Sequence, residues 1–405
     1  MDSLTHLVAG ALTPLAFRDT PKRAAVVAFG IVAGELPDMD VFFGSGPEAL
    51  LVLHRGITHA LFWQPVLVLL AVIPFFLWLN TRRAKPLLVE AFPSHAGWTA
   101  QHLPGPGGMG AFTFSRMYLV ALVGVYTHIY LDCMTTFGTQ ILLPFSDMRV
   151  GFPAVFIVDL LLTVPALTLL VLALRRKAEL RPAARRSRAC PQTGIAFVSA
   201  SSRKLARAGL AWVLVYPLLC LGVNATAAHL LGPSMVGPDT PGGPGAKLQL
   251  MTEPFSPFVW KAIVDTGDSY QMSTVSLLSL LRQGNRREHR PVTHIYHKPD
   301  KGLYASLQRQ HRIFGWFASF SSLVTQSQRP ADGRLRAGPA GPVTEYAFID
   351  LRYAMSPESP ARWVGRDDAN FILEAAVNAS GGLAAWRFLE RGKDAGRTPW
   401  EFEKR

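Results

Sequence analysis

Apolar residues gather in six stretches within the first 235 positions of the chain. Four of them, at 57–79, 117–138, 153–174 and 208–231, are long enough to cross the roughly 30 Å hydrocarbon core of a bilayer as helices. The other two, at 4–17 and 24–36, would extend only about 20 Å. We expect these two to form a helical hairpin that is re-entrant or packed tightly against the other helices. The pattern predicts a mainly α fold with a polytopic helical membrane domain of about 4–6 segments.

The hydrophobic pattern changes after about residue 245. A Gly- and Pro-rich linker at 232–245 is followed by short runs rich in β-branched and aromatic residues. These runs lie at 258–265, 270–276, 313–325, 343–353 and 370–377, and such runs between Gly and Pro clusters predict strands. We therefore expect a membrane-embedded domain at 1–235 and a small β-rich or α+β soluble domain at 246–405.

Composition supports a membrane location. Only 17% of the residues are charged and 49% are hydrophobic, whereas soluble domains carry about 25% charge. The net charge of +13 could suggest nucleic-acid binding, but the basic residues lie largely in loops beside apolar segments. The densest basic run, at 175–207, is expected to be a cytoplasmic linker. We expect membrane lipids as partners and no nucleic acid, and oligomeric state does not follow from the sequence.

Cysteines and the N-terminus add two smaller constraints. Cys133, Cys190 and Cys220 give neither a disulfide framework nor a Cys-x-x-Cys pair. The first residues lack the positive region of a signal peptide. We therefore expect the N-terminal segment, with His6, to be retained in the mature protein.

His and Asp side chains interrupt the apolar stretches in a pattern that suggests a metal site. His128 and Asp132 are four residues apart and would share one helix face. Ionisable groups within membrane segments are costly and usually functional. Two further His flank Arg-Gly-Ile-Thr, and two Asp lie on a Pro-Asp-Met-Asp turn. The candidate metal ligands are His6, Asp38, Asp40, His54, His59, His128, Asp132 and Asp159.

The positive-inside rule places these candidates on one side of the membrane. If the basic residues near 18–23, 82–85 and 116 and those at 175–207 are cytoplasmic, the opposite ends of the same segments carry the His and Asp residues. We therefore expect one site on the extracytoplasmic side. The same count places the C-terminal domain on that side as well.

The ligand types indicate which chemistry such a site would support. Mixed His and Asp ligation suits zinc, manganese or iron, in one or two ions, and zinc is the first expectation. A bound ion would activate water for hydrolysis of a phosphoester or lipid-linked substrate. The expected catalytic residues are Arg55, which would steady anionic charge, Asp40 and His59. Thr58, Thr135 and Thr136 are candidate donors around them.

These motifs together resemble a known family. Met-Asp-Ser-Leu-Thr-His6, Leu-Pro-Asp-Met-Asp40, His-Arg-Gly-Ile-Thr-His59, His128-xxx-Asp132 and Leu-Pro-Phe-Ser146 are similar to bacterial inner-membrane proteins of the YdjM/YbcI/YfhP type, which are classed as metal-dependent hydrolases. The resemblance covers roughly residues 1–235 and implies a bacterial inner-membrane location and a metal-dependent hydrolase. The match of Phe-Ile-Val-Asp159 to the family pattern supports Asp159 as a ligand.

A more distant similarity is to zinc-dependent phospholipase C and single-strand nucleases, which also combine an early His with HxxxD or HxxxE pairs on helices. This chain lacks a second such pair and an N-terminal Trp ligand, so a three-metal cluster is not expected. The similarity implies only phosphoester or lipid-linked chemistry.

Two other functions fit the same residues. A metal-binding transporter or sensor would use them to bind and pass an ion. In a structural membrane protein they would hold helices together through hydrogen bonds, and the outer domain would bind a partner. The cytoplasmic halves of the apolar segments at 57–79 and 153–174 are almost wholly apolar, which counts against the transporter.

Overall fold

The computed structural model describes residues 2–18, 20, 24–44, 46–79, 113–181, 195–236, 245–254, 257–278, 293–329, 342–359, 370–391 and 400–402. The loop predicted after residue 79, the middle of the predicted 175–207 linker and most of the predicted 232–245 linker lie outside these residues. The chain forms two compact units. The first comprises Met1–Asp40, Arg55–Phe152 and Ile157–Leu219, and the second comprises Val41–His54, Pro153–Phe156 and Cys220–Arg405.

The first unit is helical. Its described helices are α1 (Ser3–Ala16), α2 (Ala24–Gly34), α3 (Gln64–Leu79), α4 (Phe114–Cys133) and α5 (Leu160–Arg175), and the long α6 (Ala200–Met235) begins within it. Short 3-10 turns lie at Pro37–Phe42 and Ile57–His59. A strand pair, β1 (Glu179–Arg181) and β2 (Ile195–Phe197), precedes α6.

Helices α1 and α2 form the expected hairpin because two glycines let their backbones approach closely. A Cβ atom at Gly10 would lie 2.6 Å from the carbonyl oxygen of Gly30, and one at Gly30 would collide with Gly10 and with the ring of Pro14. Small residues permit such packing between helices in membranes. The close approach brings the first turn of α1, which carries His6, against the end of α2.

A buried apolar cluster holds α4 against α2 and α3. Phe29 of α2, Val72 of α3 and Val125 of α4 belong to this cluster. Burying one such side chain stabilises the fold by about 1.5–3 kcal/mol. The cluster thereby fixes the position of the C-terminal half of α4, where His128 and Asp132 lie.

Basic residues lie at only one of the two ends described here for the first unit. At one end, Arg207 of α6 donates a hydrogen bond to the carbonyl oxygen of Ala16, the last residue of α1, at 2.9 Å. At the other end, the hydroxyls of Thr5 and Thr163 lie 2.6 Å apart. Since α5 runs from Thr163 towards Arg175, basic residues mark one end of the unit and the starts of α1 and α5 mark the other.

The predicted mainly α fold with about 4–6 membrane segments is wrong. Within the described ranges, only α6 is long and apolar enough to cross a membrane, with a second span if the bent segments Ala49–His59 and Gln64–Leu77 count as one. The reason is length, because α1, α2 and α5 have 14, 11 and 16 residues and extend about 24 Å at most. Together with two antiparallel sheets, these helices give a mixed α and β fold in which the β-rich C-terminal part is large rather than small.

The second unit contains two antiparallel sheets. One has the order β3-β4-β5-β6 and the other β11-β10-β9-β8-β7. The strands are β3 (Lys247–Thr252), β4 (Val259–Asp265), β5 (Ser269–Ser276), β6 (Thr293–His297), β7 (Val324–Arg329), β8 (Val343–Asp350), β9 (Asn370–Asn378), β10 (Leu383–Arg391) and β11 (Glu401–Phe402). Met272 of β5, Ile372 of β9 and Leu389 of β10 share one buried cluster. The strands predicted at 258–265, 270–276 and 370–377 are confirmed as β4, β5 and β9. The strand predicted at 343–353 is confirmed as β8 up to Asp350, and Leu351–Tyr353 form a 3-10 turn instead.

The strand predicted at 313–325 is wrong over most of its length. The chain there forms α8 (Arg312–Phe320), which follows α7 (Lys301–Gln310), and β7 begins only at Val324. The buried residues of α8 are Ile313, Phe314, Phe317 and Phe320. Their spacing of one, four and seven residues is that of one helix face, and it outweighs the strand preference of these residue types.

Candidate metal centre

Four side chains of the first unit could hold a metal ion. Asp38 belongs to the 3-10 turn after α2, His59 ends the turn before α3, and His128 and Asp132 lie one turn apart on α4. One ligand atom from each lies within 4.8 Å of every other. The four residues come from three separate parts of the chain, so the fold and not local sequence brings them together.

Four of the six distances among these donor atoms match those expected around a tetrahedral ion. His59 Nε2 lies 3.4 Å from Asp38 Oδ1 and 3.3 Å from Asp132 Oδ2. His128 Nε2 lies 3.4 Å from the same two oxygens. Bonds of about 2.1 Å to a tetrahedral metal would place neighbouring donors about 3.4 Å apart. Ordinary N–H···O hydrogen bonds would instead be about 2.9 Å long.

Two of the donor atoms are also buried without a hydrogen bond. Across the described part of the chain, neither His128 Nε2 nor Asp38 Oδ1 has a hydrogen-bond partner. Leaving buried polar atoms unsatisfied costs about 1–3 kcal/mol each. A cation between them would supply the missing interaction.

Asp132 uses its two oxygens for different partners. Oδ2 faces His59 and His128, whereas Oδ1 lies 2.9 Å from Arg55 Nη2 and 3.2 Å from His6 Nε2. The imidazole of His6 also stacks on that of His128, with ring centroids 3.7 Å apart. His6 therefore lies beside the four-residue group and contacts two of its members.

Arg55 fixes the orientation of Asp132. Its second terminal nitrogen, Nη1, donates a 3.2 Å hydrogen bond to Thr135, and its guanidinium lies over the ring of Phe137 at 4.6 Å. The side chain is buried. Arg55 was expected to steady an anionic substrate, but in the structure its charge is directed at the Asp132 carboxylate.

The backbone of Arg55 is strained and held by Asp40. Arg55 has φ = +57°, a left-handed conformation that costs a non-glycine residue about 1–2 kcal/mol. The Asp40 carboxylate accepts the Arg55 backbone N–H at 2.9 Å. The next residue, Gly56, has φ = −91° and ψ = −125°, a combination outside the α and β regions that glycine adopts more easily than other residues.

Asp40 and Thr58 lie beside the second ring nitrogen of His59, Nδ1. Thr58 Oγ1 lies 3.1 Å from both Asp40 Oδ2 and His59 Nδ1, and Asp40 Oδ2 is 3.6 Å from the same imidazole nitrogen. Carboxylates behind a metal-binding His commonly fix its tautomer and ring orientation. This arrangement leaves His59 Nε2 directed at Asp38 and Asp132, so Asp40 supports a ligand and is not one of the four.

Asp38 is the accessible member of the group. Its side chain is 24% exposed, whereas those of His59, His128 and Asp132 are at most 1% exposed. Burial raises the pKa of Asp38, but its interactions with His128 and His59 outweigh burial and hold the pKa well below the usual range. Asp38 is therefore an ionised carboxylate at neutral pH, as metal binding requires.

Glu35 is a neighbouring carboxyl that the sequence reasoning missed. It follows α2 directly, and burial raises its pKa to about 7; the charge of His128 lowers the pKa, while those of Asp38 and Asp132 raise it further. Its Oε1 atom is buried and has no hydrogen-bond partner among the described residues. The sequence feature that could have identified Glu35 is its position three residues before Asp38, at the end of an apolar stretch.

Two expected ligands, Asp159 and His54, are not members of this group. Asp159 caps α5 by accepting the Leu162 backbone N–H at 3.0 Å, and the hydroxyl of Tyr216 donates to its carboxylate at 3.2 Å. His54 belongs to the second unit, where its backbone N–H donates to Ala49 at 2.7 Å. The group of Asp38, His59, His128 and Asp132 contains neither residue.

Comparison with known proteins identifies the family. The YdjM inner membrane protein family matches residues 1–229. Over 163 residues the chain is 25% identical to the uncharacterized protein YfhP of Bacillus subtilis (strain 168), covering 37% of this chain and 39% of that protein. The chain thus matches about two fifths of the length of this relative, and no solved structure matches it. Because the family match spans more than half of the chain and includes all four residues of the metal group, the chain is a member of the YdjM inner membrane protein family.

Proposed function

We propose that this inner-membrane protein is a metal-dependent hydrolase of phosphoesters. The observation that carries the proposal is the set of four donor contacts of 3.3–3.4 Å among Asp38, His59, His128 and Asp132. The absence of a thiolate distinguishes this set from Cys-rich structural zinc sites, and water could join the four protein donors as a fifth ligand, an expansion that zinc permits. We expect one zinc ion at these residues, with manganese or iron as alternatives.

The surrounding residues would hold the ligands in place. Asp40 and Thr58 orient His59, while Arg55 and His6 orient Asp132. Such supporting contacts typically change metal affinity by about 10–100-fold. Through these contacts, Asp40, Arg55 and His6 would affect metal affinity without contacting the ion, although they were expected to be ligands or catalytic groups.

The chemistry follows from what a divalent ion supplies when bound, namely an activated water molecule and stabilisation of negative charge on a phosphoryl oxygen. In phosphomonoester hydrolysis, water attacks phosphorus, the bond from phosphorus to the alcohol oxygen breaks, and a water proton ends on the alcohol. Glu35 Oε1 is the atom that we propose receives this proton from water and passes it on. Substrate would enter past Asp38, the partly exposed ligand.

Charge distribution supports an extracytoplasmic site. Arg203, Lys204 and Arg207 lie at the start of α6, and Arg175 ends α5. Positive residues flanking a membrane helix mark its cytoplasmic end. We propose that the opposite end of the first unit, with the metal group, and the chain after α6 are extracytoplasmic.

Metal analysis of the purified protein tests the proposal. Wild type, His128→Ala and the control His294→Ala, whose side chain is exposed on β6, would be dialysed against metal-free buffer and analysed by mass spectrometry. We expect about one ion per chain in wild type and control, and an at least roughly ten-fold loss in His128→Ala. Absence of metal from wild type would contradict the proposal.

Hydrolysis is measured on the same samples. p-Nitrophenyl phosphate and bis(p-nitrophenyl) phosphate would be supplied with zinc, manganese or iron, and we expect activity to follow metal content across the three proteins. Bound metal without hydrolysis of either phosphoester would favour the metal transporter or sensor instead.

A further inference from the structure

An exposed aromatic pair includes a residue that closely follows His59 in the chain. Phe62, three residues after His59, and Phe145 meet edge to face with ring centroids 5.5 Å apart. Phe145 is 79% exposed and Phe62 is 57% exposed. Leu142 and Met148, on the same loop as Phe145, are exposed as well. Exposed apolar patches of this kind mark a binding surface or contact with a membrane.

The pair continues an apolar stripe along α3. Val66, Leu70, Ile73 and Leu77 are exposed, and their spacing places them on one face of α3. Phe62 lies in the turn that precedes this helix. The segment from residue 57 to residue 79 contains no Asp, Glu, Lys or Arg. In an inner-membrane protein, such a face contacts lipid, so the aromatic pair extends a lipid-facing surface onto the loop at 142–148.

Hydrogen bonds connect this loop to the metal group. The backbone N–H of Gln140 donates to the carbonyl of Arg55 at 2.9 Å, and that of Leu61 donates to the carbonyl of Ile141 at 3.0 Å. The segment that carries Arg55 and His59 is therefore paired with the start of the loop. Because Arg55 also binds Asp132, the position of the loop is set by the same residues that set the metal ligands.

We infer that Phe62 and Phe145 hold the acyl chains of a membrane lipid, and that the substrate is a phosphoester carried by such a lipid. The substrate class rests on the proposed hydrolase function, whereas the lipid contact of the loop does not. The occupant is a lipid of the surrounding bilayer, because Phe62 directly precedes α3, whose exposed face is apolar. A lipid lying on the patch would present its headgroup to the metal group from the side.

Fluorescence quenching tests the lipid contact without reference to catalysis. In a Cys190→Ser background, Phe145→Cys or the control Ile295→Cys, an exposed apolar position on β6, would carry an environment-sensitive NBD label. The two remaining cysteines are buried. In phosphatidylcholine nanodiscs with nitroxide-labelled acyl chains, we expect strong quenching at position 145 and little at position 295. Equal quenching at the two positions would overturn the inferred contact.

Substrate preference tests the substrate class. Wild type, Phe145→Ser and Ile295→Ser would be assayed with dioleoyl phosphatidic acid in phosphatidylcholine vesicles and with p-nitrophenyl phosphate. We expect the ratio of lipid to soluble turnover to fall about ten-fold in Phe145→Ser, since one buried aromatic contact is lost, and to stay at the wild-type value in Ile295→Ser. An unchanged ratio in Phe145→Ser would overturn the substrate class. Failure of all proteins on both substrates would instead refute the hydrolase function, and quenching would still decide the lipid contact.

Discussion

The guanidinium of Arg55 and the carboxylate of Asp132 form an ion pair of 2.9 Å in which both side chains are buried. The pair uses Asp132 Oδ1 and leaves Oδ2 directed at His59 and His128. Arg55 therefore orients, through charge, a carboxylate of the group that could hold a metal ion, although its own side chain carries no ligand atom.

Replacing Arg55 should weaken metal binding without removing a ligand. In Arg55→Lys, a single ammonium cannot reach Asp132 and Thr135 together as the planar guanidinium does. We expect metal affinity to fall about 10-fold in Arg55→Lys and up to about 100-fold in Arg55→Ala, as measured by competition with a chelating dye. Arg149→Lys, at a second arginine beside Phe137, is the control. Equal affinity in all variants would mean that Asp132 holds its position without Arg55.

Removing the negative charge of Asp40 should act through His59. Asp40→Asn keeps an oxygen that can accept the Arg55 backbone N–H but removes the charge beside His59 Nδ1. We expect metal affinity to drop about 10-fold, with little change in helix content by circular dichroism. Asp147→Asn, on the exposed loop, should bind metal as wild type does. A complete loss of metal in Asp40→Asn would instead identify Asp40 as a direct ligand.

Two helical glycines should respond oppositely to alanine. At Gly30 a new Cβ would collide with the Gly10 carbonyl and the Pro14 ring, whereas at Gly222 nothing lies within 4 Å of it. Overpacking costs about 1–3 kcal/mol, so Gly30→Ala should lower the thermal unfolding temperature and displace His6. Gly222→Ala should keep or raise that temperature, because alanine favours helix by about 1 kcal/mol. The hairpin packing would be refuted if Gly30→Ala were as stable as Gly222→Ala.

The second unit should become more stable as pH rises above 8. Lys261 of β4 is buried, and its ammonium donates to the carbonyls of Leu351, Arg352 and Ala354 at 2.7, 3.0 and 2.6 Å. Burial lowers the pKa of Lys261 to about 8 from 10.5. Between these two pH values the unfolded chain binds more protons than the folded chain, so the free energy of unfolding increases with pH.

The free energy of unfolding of wild type and of Lys261→Met would be measured at pH 8 and at pH 10. Unfolding would be monitored by the fluorescence of the neighbouring buried Trp260. The full shift of about 2.5 pKa units corresponds to about 3.4 kcal/mol, and the step from pH 8 to pH 10 should raise the free energy of unfolding of wild type by about 2 kcal/mol relative to the variant. Surface groups also titrate in this range, and they cancel in the comparison. A parallel pH response of the two proteins would show that Lys261 keeps its ordinary pKa.

Local spacing was sufficient to predict part of the site. The four-residue interval between His128 and Asp132 predicted a shared helix face, and their donor atoms lie 3.4 Å apart. The supporting roles of Arg55 and Asp40 could not be read in this way. They depend on the left-handed backbone at Arg55 and on a hydrogen bond across fifteen positions, which exist only in the folded chain.

Hydrophobicity likewise predicted where helices occur but not how many cross the membrane. The apolar stretch at 57–79 contains a 3-10 turn and a separate helix that begins at Gln64, because residues 60–63 leave the helical path. The stretch at 313–325 was read as a strand from its residue types, although the spacing of Phe314 and Phe317 is helical. Average hydrophobicity therefore did not reveal the break before Gln64 in the first stretch or the helical spacing of the second.

The uneven exposure of the four ligands has a kinetic consequence. His59, His128 and Asp132 are enclosed, and Asp38, on the short turn Pro37–Phe42, forms the single partly open flank. Exchange of an ion with bulk solvent would therefore pass this turn, and its rate would depend on how readily the turn moves away from the enclosed ligands. A chelator would remove metal at a rate set by the opening of this turn, so resistance to brief chelator treatment would report a slow gate and not a high equilibrium affinity.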